Sequence, residues 1–250
     1  MFLTDAITRA RDSALALVYP QPCHVCGQSV ESRSDGCACQ NCWNSTRLFT
    51  STTVLCWKCG AVAGGTIKNG LRESVRCHRC DPDAFDGARA CGVYEKALRA
   101  VVLSLKRQPY IPTRISQLLA STAQQEPLAG CTRVVPVPLH PQRHKARGFN
   151  QAEILAADVA KKIGLPRDFR NLFRTVHTDR HRAGMDAKSR RETVKNAFEV
   201  HVPRLMSNQS ILLIDDVFTS GATASACASA LFEAGARSVF VLTVARTENY

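Results

Sequence analysis

The chain has 250 residues, 45% of them apolar, with 33 Lys and Arg against 21 Asp and Glu, giving a formal net charge of +12. That length buries one good core and a second, smaller unit, and no apolar run approaches the ~20 residues of a membrane helix. The N-terminal stretch has only a weak apolar patch at 14–19, contains Asp5 and Asp12 and lacks a small-residue cleavage site, which reads against a signal peptide and for a cytoplasmic protein without membrane insertion.

Nine of the twelve cysteines precede residue 81, and eight form four C-x-x-C pairs: Cys23 and Cys26, Cys39 and Cys42, Cys56 and Cys59, Cys77 and Cys80. Gly27 follows the first pair and Gly60 the third, and the two units start 33 residues apart, which marks an internal duplication. Two cysteines three apart in a tight turn both point at one ion, and two such turns complete a tetrahedral four-thiolate zinc site. The segment carries few large apolar residues, so its folding depends on metal. A redox C-x-x-C would need a βαβ pattern around it, and none is present. Sequential ribbons (23, 26, 39, 42, then 56, 59, 77, 80) and a cross-braced pairing both satisfy the spacing. Cys37 is a substitute ligand candidate, while His24 and His78 read as exposed spacers. The expectation is one or two structural Zn²⁺ ions.

From about residue 88 the pattern alternates strands and helices. Residues 87–94 read as a strand. Residues 95–107 have apolar positions 98, 101, 102 and 105, a helical spacing, and Pro109 and Pro112 break it. Residues 115–125 read as a helix and 132–139 as a short buried strand ending in prolines. Residues 150–164 read as an amphipathic helix with a glycine stop. Residues 171–176 and 196–200 read as strands around a charged loop. Residues 210–214 form a buried strand, 222–236 a helix and 238–245 a last strand. Such alternation predicts an α/β fold, a mostly parallel sheet with helices on both faces. Cys91, Cys131 and Cys227 read as ordinary buried thiols.

The charge excess is central: residues 88–132 carry 6 basic and 2 acidic residues, and 133–195 carry 15 and 6. That local surplus points to a polyanionic partner, either the phosphates of a small ligand or nucleic acid. In parallel sheets ligands bind beyond the carboxyl ends of strands. There "ILLIDDVFTSGAT" (211–223) places Asp215 and Asp216 before a run of small and hydroxyl residues that opens a helix. Helix-start amides cradle phosphate. Thr219, Ser220 and Thr223 add hydroxyls, and Gly221 lets backbone come close. Two carboxylates suit sugar hydroxyls or a metal. The lysine loop of a P-loop nucleotide site is absent. The segment describes a sugar 5′-phosphate with its diol held by acids.

These thirteen residues resemble the phosphoribosyl-pyrophosphate (PRPP) motif of type I phosphoribosyltransferases. With the ribbons, the resemblance narrows to the ComF family, a double zinc ribbon fused to such a domain. Residues 94–106, ending in Lys106, residues 134–152 with Arg147-Gly148-Phe149-Asn150-Gln151, and the basic segment 183–200 fit its pattern. The chain departs from it at His181, where Thr-x-x-Gln is expected, and at Thr193-Val194 in place of Asn-Val. The resemblance implies an N-terminal double zinc-ribbon module over 1–86 and a phosphoribosyltransferase-like domain over 87–250. It implies that Asp215 and Asp216 bind the ribose 2′ and 3′ hydroxyls and that Thr219, Ser220, Gly221, Ala222 and Thr223 wrap the 5′-phosphate. It places a pyrophosphate loop at Pro138, Leu139 and His140, with Arg143, Lys145 and Arg147 neutralising pyrophosphate and Mg²⁺ bridging its oxygens.

Three functions fit. One is transfer of phosphoribosyl from PRPP to a nitrogen acceptor with release of pyrophosphate, which needs no covalent nucleophile. The second is single-stranded DNA handling alongside other competence proteins. The third is PRPP sensing without turnover. The resemblance links all three to DNA uptake or nucleotide metabolism.

Overall fold

The computed structural model describes residues 21–65, 71–175 and 196–248. The apolar patch at 14–19, His181 and Thr193-Val194 lie outside the described residues. The main sheet contains β1 (Gly87–Ala90), β2 (Arg133–Pro136), β5 (Ser210–Phe218) and β6 (Ser238–Arg246) in the order β1-β6-β5-β2, and every pairing is parallel. A separate antiparallel pair joins β3 (Leu172–Arg174) to β4 (Phe198–Val200). Helices are α1 (Gln40–Asn44), α2 (Lys96–Leu105), α3 (Thr113–Ala123), α4 (Pro141–Arg147), α5 (Gln151–Ile163) and α6 (Ala222–Glu233). The expected class, a mostly parallel sheet flanked by helices and preceded by paired cysteine turns, is the one observed. Among the described residues no helix is long and apolar enough to cross a membrane.

The central strands are apolar on both faces because both faces are covered. Side chains alternate along a strand. Leu212, Ile214, Leu242 and Val244 therefore share one core with buried residues of α2, α3 and α5. Ile211, Leu213, Val239 and Val241 share the other with Cys227, Ala228 and Leu231 of α6. The cysteine turns divide the same way. Cys23, Cys39, Cys42 and Trp43 join the first core, and Cys56, Cys59, Cys80 and Phe85 join the second. Cys91, Cys131 and Cys227 are buried as expected, and burial pushes the Cys91 and Cys131 thiols up to about 12.

Two elements differ from the sequence reading. The strand expected at 210–214 continues through both aspartates to Phe218, because its partner β6 runs on to Arg246 and keeps the ladder paired, Asp215 to Thr243 and Phe218 to Arg246. The stretch after β2 is not all loop: Pro141–Arg147 forms α4. None of its residues is buried, so apolar periodicity carries no trace of it. Its punctuation does, with Pro141 at the first helical position and Gly148, at φ 83°, closing it through Gly148 N–H to the His144 carbonyl (2.8 Å).

Candidate functional site

The cysteines gather into two groups, Cys23, Cys26, Cys39, Cys42 and Cys56, Cys59, Cys77, Cys80, with all ligand atoms of each group within 4.8 Å of one another. Sulfur separations are 3.7 Å (Cys23–Cys42), 3.6 Å (Cys26–Cys39), 3.8 Å (Cys56–Cys80), 3.4 Å (Cys59–Cys77) and 3.5 Å (Cys77–Cys80). A tetrahedron with Zn–S bonds of ~2.3 Å has edges of about 3.8 Å, so the dimensions fit zinc. The sequential pairing holds, and Cys37 belongs to neither group. His78 is fully exposed, a spacer as expected.

The duplication extends to individual hydrogen bonds. Cys23 N–H donates to the Gln28 carbonyl and Cys56 N–H to that of Ala61 (2.6 and 2.7 Å); Gly27 and Gly60 N–H donate to the Cys23 and Cys56 carbonyls (2.9 and 2.8 Å). Cys39 and Cys77 N–H each donate to the first sulfur of their unit at 3.3 Å. Such donors favour thiolate over thiol. The second unit has two further cations. Arg89, buried in β1 and lowered by burial to about 10, donates to the Trp57 carbonyl (2.9 Å), and Arg246, buried in β6, donates to the Cys59 carbonyl.

At the C-terminal edge of the sheet, Asp215 and Asp216 stand side by side near the end of β5. Asp216 Oδ2 meets Lys106 Nζ at 3.1 Å, from the end of α2. Asp215 accepts from the Asp216 N–H (2.8 Å). Burial pushes the Asp215 carboxyl well above the usual carboxylate range; Asp216 raises it further, and Lys106 opposes both. Cys227 in α6 is pushed up by burial and then by Asp215, and pulled down by Arg174 of β3. The following loop leads into α6 through Gly221, left-handed at φ 70°. Thr219 is exposed, Thr223 half-buried, and Ser220 and Ala222 buried; the Ser220 hydroxyl accepts from the Ala222 N–H at 3.5 Å.

The basic turn begins beside these acids. Val137 N–H donates to the Ile214 carbonyl (2.9 Å), so the chain leaves β2 one residue from Asp215. Pro138, Leu139 and His140 are half-buried. The His140 Nδ1 accepts from Gln142 N–H (3.3 Å), capping α4. Arg143 and Arg147 stand one turn apart and half-buried, and Lys145 lies exposed on the other side. Asn150 closes the excursion: its Nδ2 donates to the Val137 carbonyl (3.0 Å), while its Oδ1 accepts from Ala152 N–H (3.0 Å) at the start of α5. The acids, the 219–223 loop and the basic turn thus share one edge of the sheet. Sequence reasoning missed Lys106 as an ion-pair partner, because it lies outside the acidic segment.

A second feature lies away from this edge. A groove of about 1160 Å³ runs between the first cysteine turn and the outer face of α2. Arg33, Lys96, Arg99 and Arg107 line it with His24, Val25, Leu103 and Tyr110, and among the described residues its lining contains no Asp or Glu.

The sheet and its two four-cysteine groups define an α/β protein with a parallel sheet that carries zinc-ribbon-like turns. No family model matches the chain. Over 92% of its length and 99% of the relative's, the chain is 30% identical to DNA utilization protein YhgH of Salmonella typhi. It is 28% identical, with the same coverage, to the protein of that name in Escherichia coli K12. It is 26% identical to Competence protein F of Haemophilus influenzae over 90% of its own length and 96% of that protein's. The chain belongs to this ComF/YhgH family of competence and DNA-utilization proteins. Among solved structures, the allosteric regulatory enzyme of purine biosynthesis aligns with 56% of this chain and 30% of its own, at 19% identity and TM-score 0.37. Purine phosphoribosyltransferase from Pyrococcus horikoshii aligns with 55% and 83%, at 13% identity and TM-score 0.35.

Proposed function

We propose that the chain binds PRPP with Mg²⁺ at the C-terminal edge of its sheet. The observation that carries this is the convergence of an acidic strand end, a glycine loop opening a helix, and a basic turn that starts at a backbone hydrogen bond to Ile214. Asp215 and Asp216 take the ribose hydroxyls. Thr219, Ser220, Gly221, Ala222 and Thr223 take the 5′-phosphate, with α6 amides as donors. Pro138, Leu139 and His140 carry the chain past the pyrophosphate, with Arg143, Lys145 and Arg147 as its cations. Mg²⁺, when bound with PRPP, would add charge stabilisation to the pyrophosphate beside these cations. Catalysis, where it occurs, is displacement at ribose C1 by a nitrogen nucleophile, driven by positioning and charge stabilisation. Residues 1–86 then act as the zinc-ribbon module and 87–250 as the phosphoribosyl-handling domain of a cytoplasmic protein. Calorimetry with PRPP and Mg²⁺ tests the site: Asp215→Ala with Asp216→Ala abolishes binding, and unchanged binding overturns the assignment. Pyrophosphate release against a panel of nucleobases separates enzyme from sensor and tests the link to nucleotide metabolism.

The groove favours a second role, single-stranded DNA binding. Four cations, with no acid among the described lining residues, match a phosphate backbone, and exposed Tyr110 offers a stacking face. The family names of the relatives support it. Log affinity for an oligonucleotide should fall steeply with log salt, and Arg99→Glu with Arg107→Glu should flatten that slope; a salt-independent affinity, or one the double variant leaves intact, removes this role.

A further inference from the structure

The second four-cysteine group is built into the back of the 219–223 loop. A Cβ added at Gly221 would lie 2.9 Å from Phe218 Cζ, 3.3 Å from Asp83 Oδ2 and 3.4 Å from Phe85 Cε1. Loop backbone therefore lies flush against residues 83–85, which Asp81 and Pro82 join to Cys80. Ala84 N–H donates to Ser225 Oγ (2.9 Å) in the first turn of α6, and Ser225 N–H donates to the Gly221 carbonyl (2.7 Å). Phe85 is fully buried and meets the Phe218 ring edge to face, centroids 5.7 Å apart at 83°. Two routes connect this wall to the cysteines. Asp83 N–H donates to the Cys80 carbonyl (3.1 Å), and Arg246 donates to the Cys59 carbonyl while its guanidinium lies 5.3 Å from the Phe218 ring centroid.

The first group makes no such connection among the described residues. Its side of the molecule is tied to α3 instead, through Arg114 to Asp35 (3.0 Å) and Trp43 Nε1–H to the Asp35 carbonyl (3.0 Å). The wall at 83–85 depends on its metal turn, since the segment before it is a single 3-10 turn, His78–Cys80, anchored by cysteine. Glycine and small residues at 219–222 have no bulk with which to hold a loop from within.

We propose that the second four-cysteine group, acting through Phe85 and the Ala84–Ser225 hydrogen bond, is a positioning element of the sugar 5′-phosphate loop, so that its integrity sets affinity for the phosphorylated sugar. The proposal rests on the PRPP reading. It assigns distinct duties to the duplicated units: one serves the phosphate loop, and the other belongs to the opposite face of the sheet.

The test uses the full chain with Mg²⁺ and two separate probes, ribose 5-phosphate and pyrophosphate, measured by calorimetry with zinc counted per chain. Phe85→Leu and Ser225→Ala should each weaken ribose 5-phosphate binding, Phe85→Leu by about tenfold, while pyrophosphate affinity and zinc content stay at wild-type values. Ser225→Ala removes one hydroxyl and keeps the test decisive if Phe85→Leu does not fold. Unchanged ribose 5-phosphate binding in folded variants overturns the proposal and leaves PRPP binding standing. Parallel loss of both probes also overturns it, since that marks general destabilisation. A wild-type chain that binds neither probe removes the PRPP reading, and the positioning role with it.

Discussion

Lys106 Nζ stands 3.1 Å from Asp216 Oδ2, a cation at the end of α2 meeting an acid near the end of β5. Neither side chain is fully exposed, so the pair is screened less than a surface salt bridge. Lys106 also opposes the burial and repulsion that raise the Asp215 pKa. Replacing it with methionine, which keeps the stem and removes the charge, should weaken PRPP binding about tenfold. Calorimetry at fixed Mg²⁺ reads the effect.

Asp215 has a stability consequence. Its folded pKa is raised by burial and by Asp216. Its contribution is therefore fully present below the ordinary carboxylate pKa of about 4 and is lost as pH rises through the raised folded value. Above that folded value the ionised residue destabilises the fold. Asp215→Asn should raise the melting temperature by about 2–4 °C per kcal/mol gained while reducing PRPP affinity. Wild-type PRPP affinity should rise with pH across the same interval as Asp215 gives up its proton. Thermal scans and titrations at matched pH check both signs.

Gly221→Ala should be costly. The position has φ 70°, where an L side chain costs about 1–2 kcal/mol. The added methyl would also lie 2.9 Å from Phe218 Cζ, one of a buried ring pair. Chemical denaturation should show a loss of roughly 2–3 kcal/mol, combining strain with overpacking. A loss under ~0.5 kcal/mol, typical of a neutral surface change, would mean the loop is not held as described.

Metal analysis should find two zinc ions per chain, one per cysteine group. Cys56→Ser should leave one. Arg89→Met should keep both at saturation yet release zinc from the second group to a competing chelator more readily. Arg89 places a buried positive charge beside a site whose four thiolates exceed the charge of the ion by two.

Asn150→Ala removes a buried side chain with bonds to the Val137 carbonyl and the Ala152 N–H. A lost helix cap costs ~1 kcal/mol, and a carbonyl stripped of its partner adds about 1–3 kcal/mol. Denaturation should register about 2–4 kcal/mol. Because Asn150 ties both ends of the basic turn together, pyrophosphate affinity should fall with it.

Much of this architecture is local, and so is legible in the sequence. The C-x-x-C pairs, their 33-residue repeat and the glycine after each lead turn state the metal chemistry by spacing alone. The apolar runs of β5 and β6 and the periodicity of α2 and α5 state the fold class. The helix Pro141–Arg147 escapes such a reading because no apolar stripe marks it, although Pro141 and Gly148 punctuate it. The strand end expected at 214 falls short because pairing with β6, not composition, decides where β5 stops.

By itself, the sequence determined the thiolate groups and the acidic strand end with its small-residue loop, since thiolate spacing, small loop residues and paired acids are properties of a short stretch of chain. Tertiary structure alone decided their neighbours. Packing holds Asp215 against the Asp216 backbone and delivers Lys106 to the Asp216 carboxylate. The sheet's two faces separate the duplicated cysteine groups, and packing brings Phe85 behind a loop more than a hundred residues away. Such contacts arise only when distant segments bury apolar surface together, and no local pattern encodes them.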